Sequence, residues 1–116
     1  MKTKSSGKGE SGILVDWAAY HRDITVNDIA SIVIPICTRY NVVVPSFEIR
    51  PHRHYRRGTC YYHKRLIALN LPIRVGVLYH ELAHHISFQL YRNLGKGHGY
   101  WFKKILSDIF RDNNII

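Results

Sequence analysis

The sequence contains few acidic residues: eight Asp and Glu stand against seventeen Lys and Arg, which gives a formal net charge of +9. No acidic residue lies between Glu48 and Glu81. A positively charged surface attracts polyanions, and nucleic acid is the commonest polyanion inside a cell. We therefore predict contact with DNA or RNA in the segment from 50 to 65, the alternative being a solvated basic face without a partner. The candidate side chains are Arg50, Arg53, Arg56, Arg57, Lys64 and Arg65.

Cysteines and long apolar runs are also scarce. The two cysteines, Cys37 and Cys60, form no C-x-x-C pair, which disfavours a zinc ribbon and gives no indication of a disulfide. The longest nearly apolar run, residues 29 to 37, is much shorter than the roughly 20 residues that span a bilayer. Residues 1 to 12 are rich in Lys, Ser and Gly, which predicts a flexible basic tail rather than a secretory signal. We expect a cytoplasmic protein with one domain, residues 13 to 116.

The periodicity of the apolar residues predicts an α+β domain. A short helix is expected within residues 13 to 20, and a longer one from 26 to 40 with Thr25 as its cap. Pro35 predicts a kink or partial strand character in the longer helix. Strands are predicted at 42 to 49 and 59 to 69, with a basic hairpin or loop at 50 to 58 between them. The result is a small sheet of about three strands packed on two further helices.

The first of these further helices carries the most informative motif of the chain, because residues 80 to 84 read HELAH. Asn70 and Pro72 are typical of a helix start. At 100° per residue, His84 lies about 40° from His80, so the two imidazoles can bind one ion. The apolar residues fall on the opposite face: Val75, Leu78, Tyr79, Leu82, Ile86 and Leu90. Small residues lie beside the histidines and leave space for another element: Gly76, Ala83 and Ser87.

His98 is the best candidate for a third ligand. An H-E-x-x-H site of the metzincin type would place Gly three and His six residues after the second histidine, where this chain has Ser87 and Leu90. A site with a downstream glutamate is excluded because no Glu follows Glu81, and Asp108 and Asp112 fit a solvated helix surface. His98 precedes the last predicted helix, residues 100 to 111, whose apolar face is made by Trp101, Phe102, Ile105, Leu106, Ile109 and Phe110.

Two segments together resemble the SprT-like metallopeptidase domain. They read YHELAHH at 79 to 85 and GHGYWFK at 97 to 103, and the similar region covers residues 66 to 109. Residues 66 to 70 also resemble that family's edge strand. The resemblance implies a minimal zincin fold, one zinc ion held by three histidines, and Glu81 as base. Eukaryotic members of the family degrade proteins crosslinked to DNA, which agrees with the basic segment.

The motif predicts a zinc-dependent endopeptidase that hydrolyses peptide bonds with His80, His84 and His98 as metal ligands. Glu81 is the predicted general base. A donor to the oxyanion is also expected, and the candidates are Tyr55, Tyr61, Tyr100 and an arginine from 50 to 57. His85 projects away from the metal and is predicted to be a boundary residue rather than a fourth ligand. Two alternatives stay open: a non-catalytic, zinc-stabilised module that binds nucleic acid, and a zinc hydrolase with a non-peptide substrate.

Overall fold

The computed structural model describes residues 6–10, by their backbone alone, together with residues 12–92 and 98–115. These ranges contain four helices and five strands, which confirms the predicted α+β class. In chain order the elements are β1 (Ser6–Glu10), β2 (Ile13–Asp16), α1 (Trp17–Tyr20), α2 (Val26–Tyr40), β3 (Ser46–Arg50), β4 (Gly58–Tyr61), β5 (Leu66–Asn70), α3 (Val75–Tyr91) and α4 (Tyr100–Asp112).

The larger sheet has three strands in the order β3-β5-β4, with β5 parallel to β3 and antiparallel to β4. The strand predicted at 59 to 69 is therefore wrong, because a turn at residues 62–65 divides it into β4 and β5. The expectation that residues 66 to 70 form an edge strand is also wrong. This segment is the central strand, and its buried residues, Ile67, Ala68 and Leu69, explain its continuous apolar sequence. The strand predicted from residue 42 begins only at Ser46.

The N-terminal region differs from its prediction. The backbone of β1 pairs with β2 as an antiparallel ribbon, so residues 6–10 of the predicted tail form a strand, whereas residues 1–5 and 11 lie outside the described residues. The helix expected at 13 to 20 is reduced to α1. The carboxylate of Asp16 accepts hydrogen bonds from the amides of Ala18 and Ala19, which caps α1 and ends β2 at that residue.

Helix α2 has the bounds that the sequence predicted. The Asp28 carboxylate accepts hydrogen bonds from the amide and the hydroxyl of Thr25, at 2.8 and 3.1 Å, which fixes the start of the helix. The helix continues through Pro35, so the partial strand character expected there is wrong. Its inner face buries Ile29, Val33 and Cys37.

Helix α3 lies at the centre of the molecule and is buried on more than the predicted face. It begins at Val75 with Arg74 as its N-cap, because Asn70 ends β5 and Pro72 lies in the connection; the predicted start at Asn70 is wrong. Gly76 provides the expected space, since a Cβ there would lie 2.3 Å from the ring of Tyr20 on α1. Of the predicted apolar stripe, only Leu90, in the last turn, is exposed.

Helix α4 packs one apolar face against α3. Its buried residues are Phe102, Ile105, Leu106, Ile109 and Phe110, as predicted. Trp101 is the exception, because it is 38% exposed and stacks on Tyr91 at the end of α3 instead of entering the core. Both cysteines are free thiols, as expected. Within the described ranges, no helix combines the length and the apolar character needed to cross a bilayer.

Candidate metal centre

The structure brings together the three histidines that the sequence selected. His80 and His84 lie one turn apart on α3, and His98 lies just before α4. The Nε2 atom of His80 is 3.2 Å from Nε2 of His84 and 3.3 Å from Nε2 of His98. One nitrogen from each ring lies within 4.8 Å of the others, so the three residues could hold a metal ion.

Two of the three separations between these nitrogens, those that involve His80, are close to the spacing of ligands on a tetrahedral ion. Zinc binds imidazole nitrogens at about 2.0 to 2.1 Å, and two ligands of a tetrahedral ion at that distance lie about 3.3 to 3.4 Å apart. The distances from His80 to its two neighbours match this spacing. Three protein ligands would leave a fourth position of such an ion open.

Phe102 supports all three imidazoles from the α4 side. Its ring centroid lies 5.0 Å from that of His80, 4.2 Å from His84 and 4.8 Å from His98, and it stacks on the His84 ring. Phe102 is fully buried and follows His98 by four residues, so the first turn of α4 places the phenyl ring beneath the imidazoles. The sequence signal for this role was the aromatic residue at a fixed distance after His98.

Tyr62 is a residue of the site that the sequence analysis missed. Its hydroxyl lies 3.2 Å from Nδ1 of His84, and its ring stacks on Phe88 at 5.0 Å between centroids. If Nε2 of His84 bound a metal, Nδ1 would carry the proton and would donate it in a hydrogen bond to the phenol oxygen. The contact with Tyr62 would then hold this imidazole in the orientation and tautomer that a ligand needs.

Burial keeps the two helical histidines neutral. It lowers the pKa of His80 to about 4, with the charge of His98 as a second cause. Burial also lowers the pKa of His84 to about 3, assisted by the charges of His80 and His98. Only the neutral form of imidazole has a lone pair for a metal, so both residues are in the binding form at neutral pH.

Glu81 follows His80 and lies against β4. It is 9% exposed, and burial raises the pKa of its carboxyl group to about 7. A group with a pKa near neutrality can both accept and release a proton under physiological conditions. Gly58 makes this position possible, because a Cβ at residue 58 would lie 3.0 Å from Cγ of Glu81.

A cleft opens beside His80 and Glu81, and its other lining residues test the predicted oxyanion donors. They are Tyr20, Tyr55, Arg57, Gly58 and Val77. Tyr55 and Arg57 therefore reach the cleft, whereas Tyr61 binds Arg50 and Tyr100 lines a different depression. Tyr20 was not among the candidates. Burial, followed by the charge of Glu81, raises the pKa of Tyr20 to about 12. The hydroxyl group therefore stays protonated and can donate a hydrogen bond.

His85 lies outside the histidine cluster, as predicted, but it is not a boundary residue. It is 1% exposed, and its Nε2–H donates a 2.8 Å hydrogen bond to the carbonyl oxygen of Val43. This bond links α3 to the segment before β3. The two C-terminal acids are surface residues, as predicted: Asp108 pairs with Lys104 and Arg111, and Asp112 pairs with Arg39.

The basic residues of the segment from 50 to 65 lie in β3, in the loop before β4 and in the turn after it. Arg50 lies in β3, where Glu48 and Tyr61 engage it, and Lys64 lies over the ring of the same Tyr61. Three exposed arginines, Arg53, Arg56 and Arg57, lie in the 51–57 loop between β3 and β4, whereas Lys64 and Arg65 lie in the turn at the other end of β4. The three loop arginines therefore lie at one end of β4, and Lys64 and Arg65 at its other end.

Comparison of the chain with models of known protein families, with curated proteins and with solved structures gives no match.

Proposed function

We propose that this protein is a zinc-dependent peptidase whose ion is held by His80, His84 and His98. The observation that carries the proposal is the convergence of three imidazoles, with Nε2 of His80 3.2 Å from that of His84 and 3.3 Å from that of His98, beside the buried carboxyl group of Glu81 in an open cleft. A metal site that only stabilises a fold gains nothing from a base at this position and usually has four protein ligands. The similarity of residues 79 to 85 and 97 to 103 to the SprT-like pattern supports the same reaction class.

Zinc suits this donor set because three neutral imidazoles favour a borderline metal over the hard cations that prefer oxygen ligands. When bound, it would lower the pKa of a water molecule and polarise the carbonyl group of the substrate. Cysteine ligands are not needed, since neither Cys37 nor Cys60 belongs to the cluster.

The residues around the ion have separate tasks in this proposal. Glu81, buried next to His80 and lining the same cleft, would accept a proton from the attacking water and deliver it to the leaving amine. Tyr20, which stays protonated, donates a hydrogen bond toward the oxygen on which negative charge develops. Tyr62 holds the imidazole of His84 in one orientation.

The substrates are peptides or unfolded protein segments, because the cleft is an open surface groove rather than a closed cavity for a small molecule. Of the three exposed arginines of the 51–57 loop, Arg57 lines this cleft, and the positive charge of the loop favours substrates that are bound to nucleic acid. DNA would then concentrate both enzyme and substrate.

The test is hydrolysis of casein and of a protein crosslinked to DNA, with and without single-stranded DNA, by the zinc-loaded wild type and by Glu81→Gln. We expect wild-type cleavage, stimulated by DNA, and a loss of at least about 100-fold in the variant with zinc retained. Bound zinc without hydrolysis of either protein would contradict the proposal and favour a zinc-stabilised binding module. Cleavage of an RNA phosphodiester alone would indicate a non-peptide hydrolase.

A further inference from the structure

A second cavity lies beside the cleft, along α1. It has a volume of about 420 Å³ and is lined by Trp17, Tyr20, His21, Arg57, Arg74 and Val77. Three of these residues, Tyr20, Arg57 and Val77, also line the cleft at His80 and Glu81, so the two spaces are neighbours. We call the combined space the α1 groove. A chain that lies beside Glu81 can therefore extend into the second cavity.

The α1 groove carries positive charge that the protein leaves available. Arg74 is engaged, because its Nε lies 2.9 Å from the Asp23 carboxylate and it donates to the carbonyl oxygen of His21. Arg57, by contrast, forms no ion pair with a carboxylate among the residues that the structure describes. The pKa of His21 is lowered by burial and then by the charges of Arg74 and Arg57, which agrees with a positive field in this part of the groove.

The position of Arg57 relative to the reacting groups is fixed by its backbone. Its carbonyl oxygen accepts a 2.9 Å hydrogen bond from the amide of Asn70, which anchors the end of the 51–57 loop to the central strand. The next residue, Gly58, lies against Glu81. The backbone of Arg57 is therefore anchored one residue before the glycine that contacts the proposed base.

One wall of the groove is flat and aromatic. The rings of Trp17 and His21 stack with centroids 5.4 Å apart and planes inclined by 19°. This wall can contact the aliphatic and backbone atoms of an extended peptide. A nucleic-acid strand fits less well, because binding its successive phosphates needs several cations in a row and Arg53 and Arg56 line neither cavity.

We propose that the α1 groove is a specificity subsite in which Arg57 binds the carboxylate of a Glu or Asp side chain close to the peptide bond that is cleaved. This inference rests on the proposed peptidase function, and it adds a class of substrate to it. A guanidinium can bind a carboxylate through two parallel hydrogen bonds, which a neutral amide cannot reproduce.

Binding is measured first, so that the result does not depend on turnover. The zinc-loaded Glu81→Gln protein is titrated with fluorescein-labelled Ala-Gly octapeptides that differ only in a central Glu, Gln or Lys. At low salt we expect the Glu peptide to bind about three- to tenfold more tightly than the Gln peptide, and the difference to shrink as salt is added. Introducing Arg57→Gln into the Glu81→Gln protein should abolish the preference for the Glu peptide.

The matched control is Arg22→Gln, which removes the same charge from an exposed residue that lines neither cavity. It should leave the preference intact. Equal dissociation constants for the Glu and Gln peptides would overturn the subsite, as would an equal loss of preference in the control variant. A dT oligonucleotide that competes through Arg57, without any preference for the Glu peptide, would also overturn it and indicate a polyanion site.

Turnover by the wild type separates this inference from the proposed function. If the Glu peptide is cut faster than the Gln peptide and Arg57→Gln equalises the two, both proposals are supported. If both peptides are cut equally, the subsite fails while the peptidase stands. If neither peptide nor casein is cut but the binding preference depends on Arg57, the peptidase fails while the acidic-peptide site stands.

Discussion

The hydroxyl of Tyr62 lies 3.2 Å from Nδ1 of His84, on the side of the imidazole opposite to the nitrogen that faces His80. This contact connects the turn between β4 and β5 to the centre of α3. Partners of this kind on the outer nitrogen of a ligating histidine typically change metal affinity by about 10- to 100-fold. The histidine cluster is therefore supported by the sheet as well as by the two helices that carry it.

Tyr62→Phe should weaken zinc binding by about tenfold, because it removes the hydroxyl group that lies 3.2 Å from Nδ1 of His84. The stacking of the ring on Phe88 is kept, so we expect little change in the thermal stability of the metal-free protein. Competition with a chromophoric chelator measures the affinity. An unchanged zinc dissociation constant would show that the hydroxyl does not support the site.

Gly58→Ala should reduce peptidase activity by about tenfold or more while zinc stays bound. The added Cβ would lie 3.0 Å from Cγ of Glu81 and 3.0 Å from a methyl group of Val77, so the carboxyl group must move. The variant is compared with wild type for kcat/KM and for zinc content in the same preparation. Full activity would mean that β4 does not determine where Glu81 lies.

Gly76→Ala should lower the free energy of unfolding by about 2 kcal/mol, because its Cβ would lie 2.3 Å from the Tyr20 ring. The double variant Gly76→Ala, Tyr20→Leu should regain part of this loss, since the smaller side chain leaves space for the methyl group. Urea unfolding of the wild type, both single variants and the double variant measures the coupling. Additive losses would contradict direct contact between the two residues.

Asp28→Ala should lower the melting temperature of the metal-free protein at neutral pH. Hydrogen bonds from the amide and hydroxyl of Thr25 lower the pKa of Asp28, so its folded value lies below its unfolded value. The stabilisation is present above the unfolded pKa of about 4 and is lost as the pH falls through the lower folded value. The difference between wild type and variant should thus shrink in acid. A difference that is the same at pH 7 and pH 2.5 would exclude the carboxylate as its cause.

The parts of the site that were predictable follow from local periodicity. The spacing of four residues placed His80 and His84 on one face of α3, and the apolar pattern after His98 predicted α4 almost to the residue. Gly76 was correctly assigned to a place where another element approaches. These features depend on residues within two turns of each other, for which the sequence pattern is strong.

The parts that were missed depend on contacts between distant segments or on turns without the usual residues. The turn at 62–65 contains no Gly, Pro, Asn or Asp, and Arg65 adopts a left-handed conformation there, so β4 and β5 were read as one strand. Tyr62 was missed for the same reason. Tyr20 reaches the cleft only because α1 packs on Gly76, a long-range contact that periodicity does not reveal.

X-ray absorption at the zinc edge, on the purified protein with one equivalent of zinc, tests the metal site most directly. We predict three imidazole nitrogens and one oxygen at about 2.0 to 2.1 Å, and loss of one imidazole in His98→Ala. Sulfur at about 2.3 Å, a shell of six oxygen ligands, or a spectrum that His98→Ala leaves unchanged would contradict a zinc site built from His80, His84 and His98.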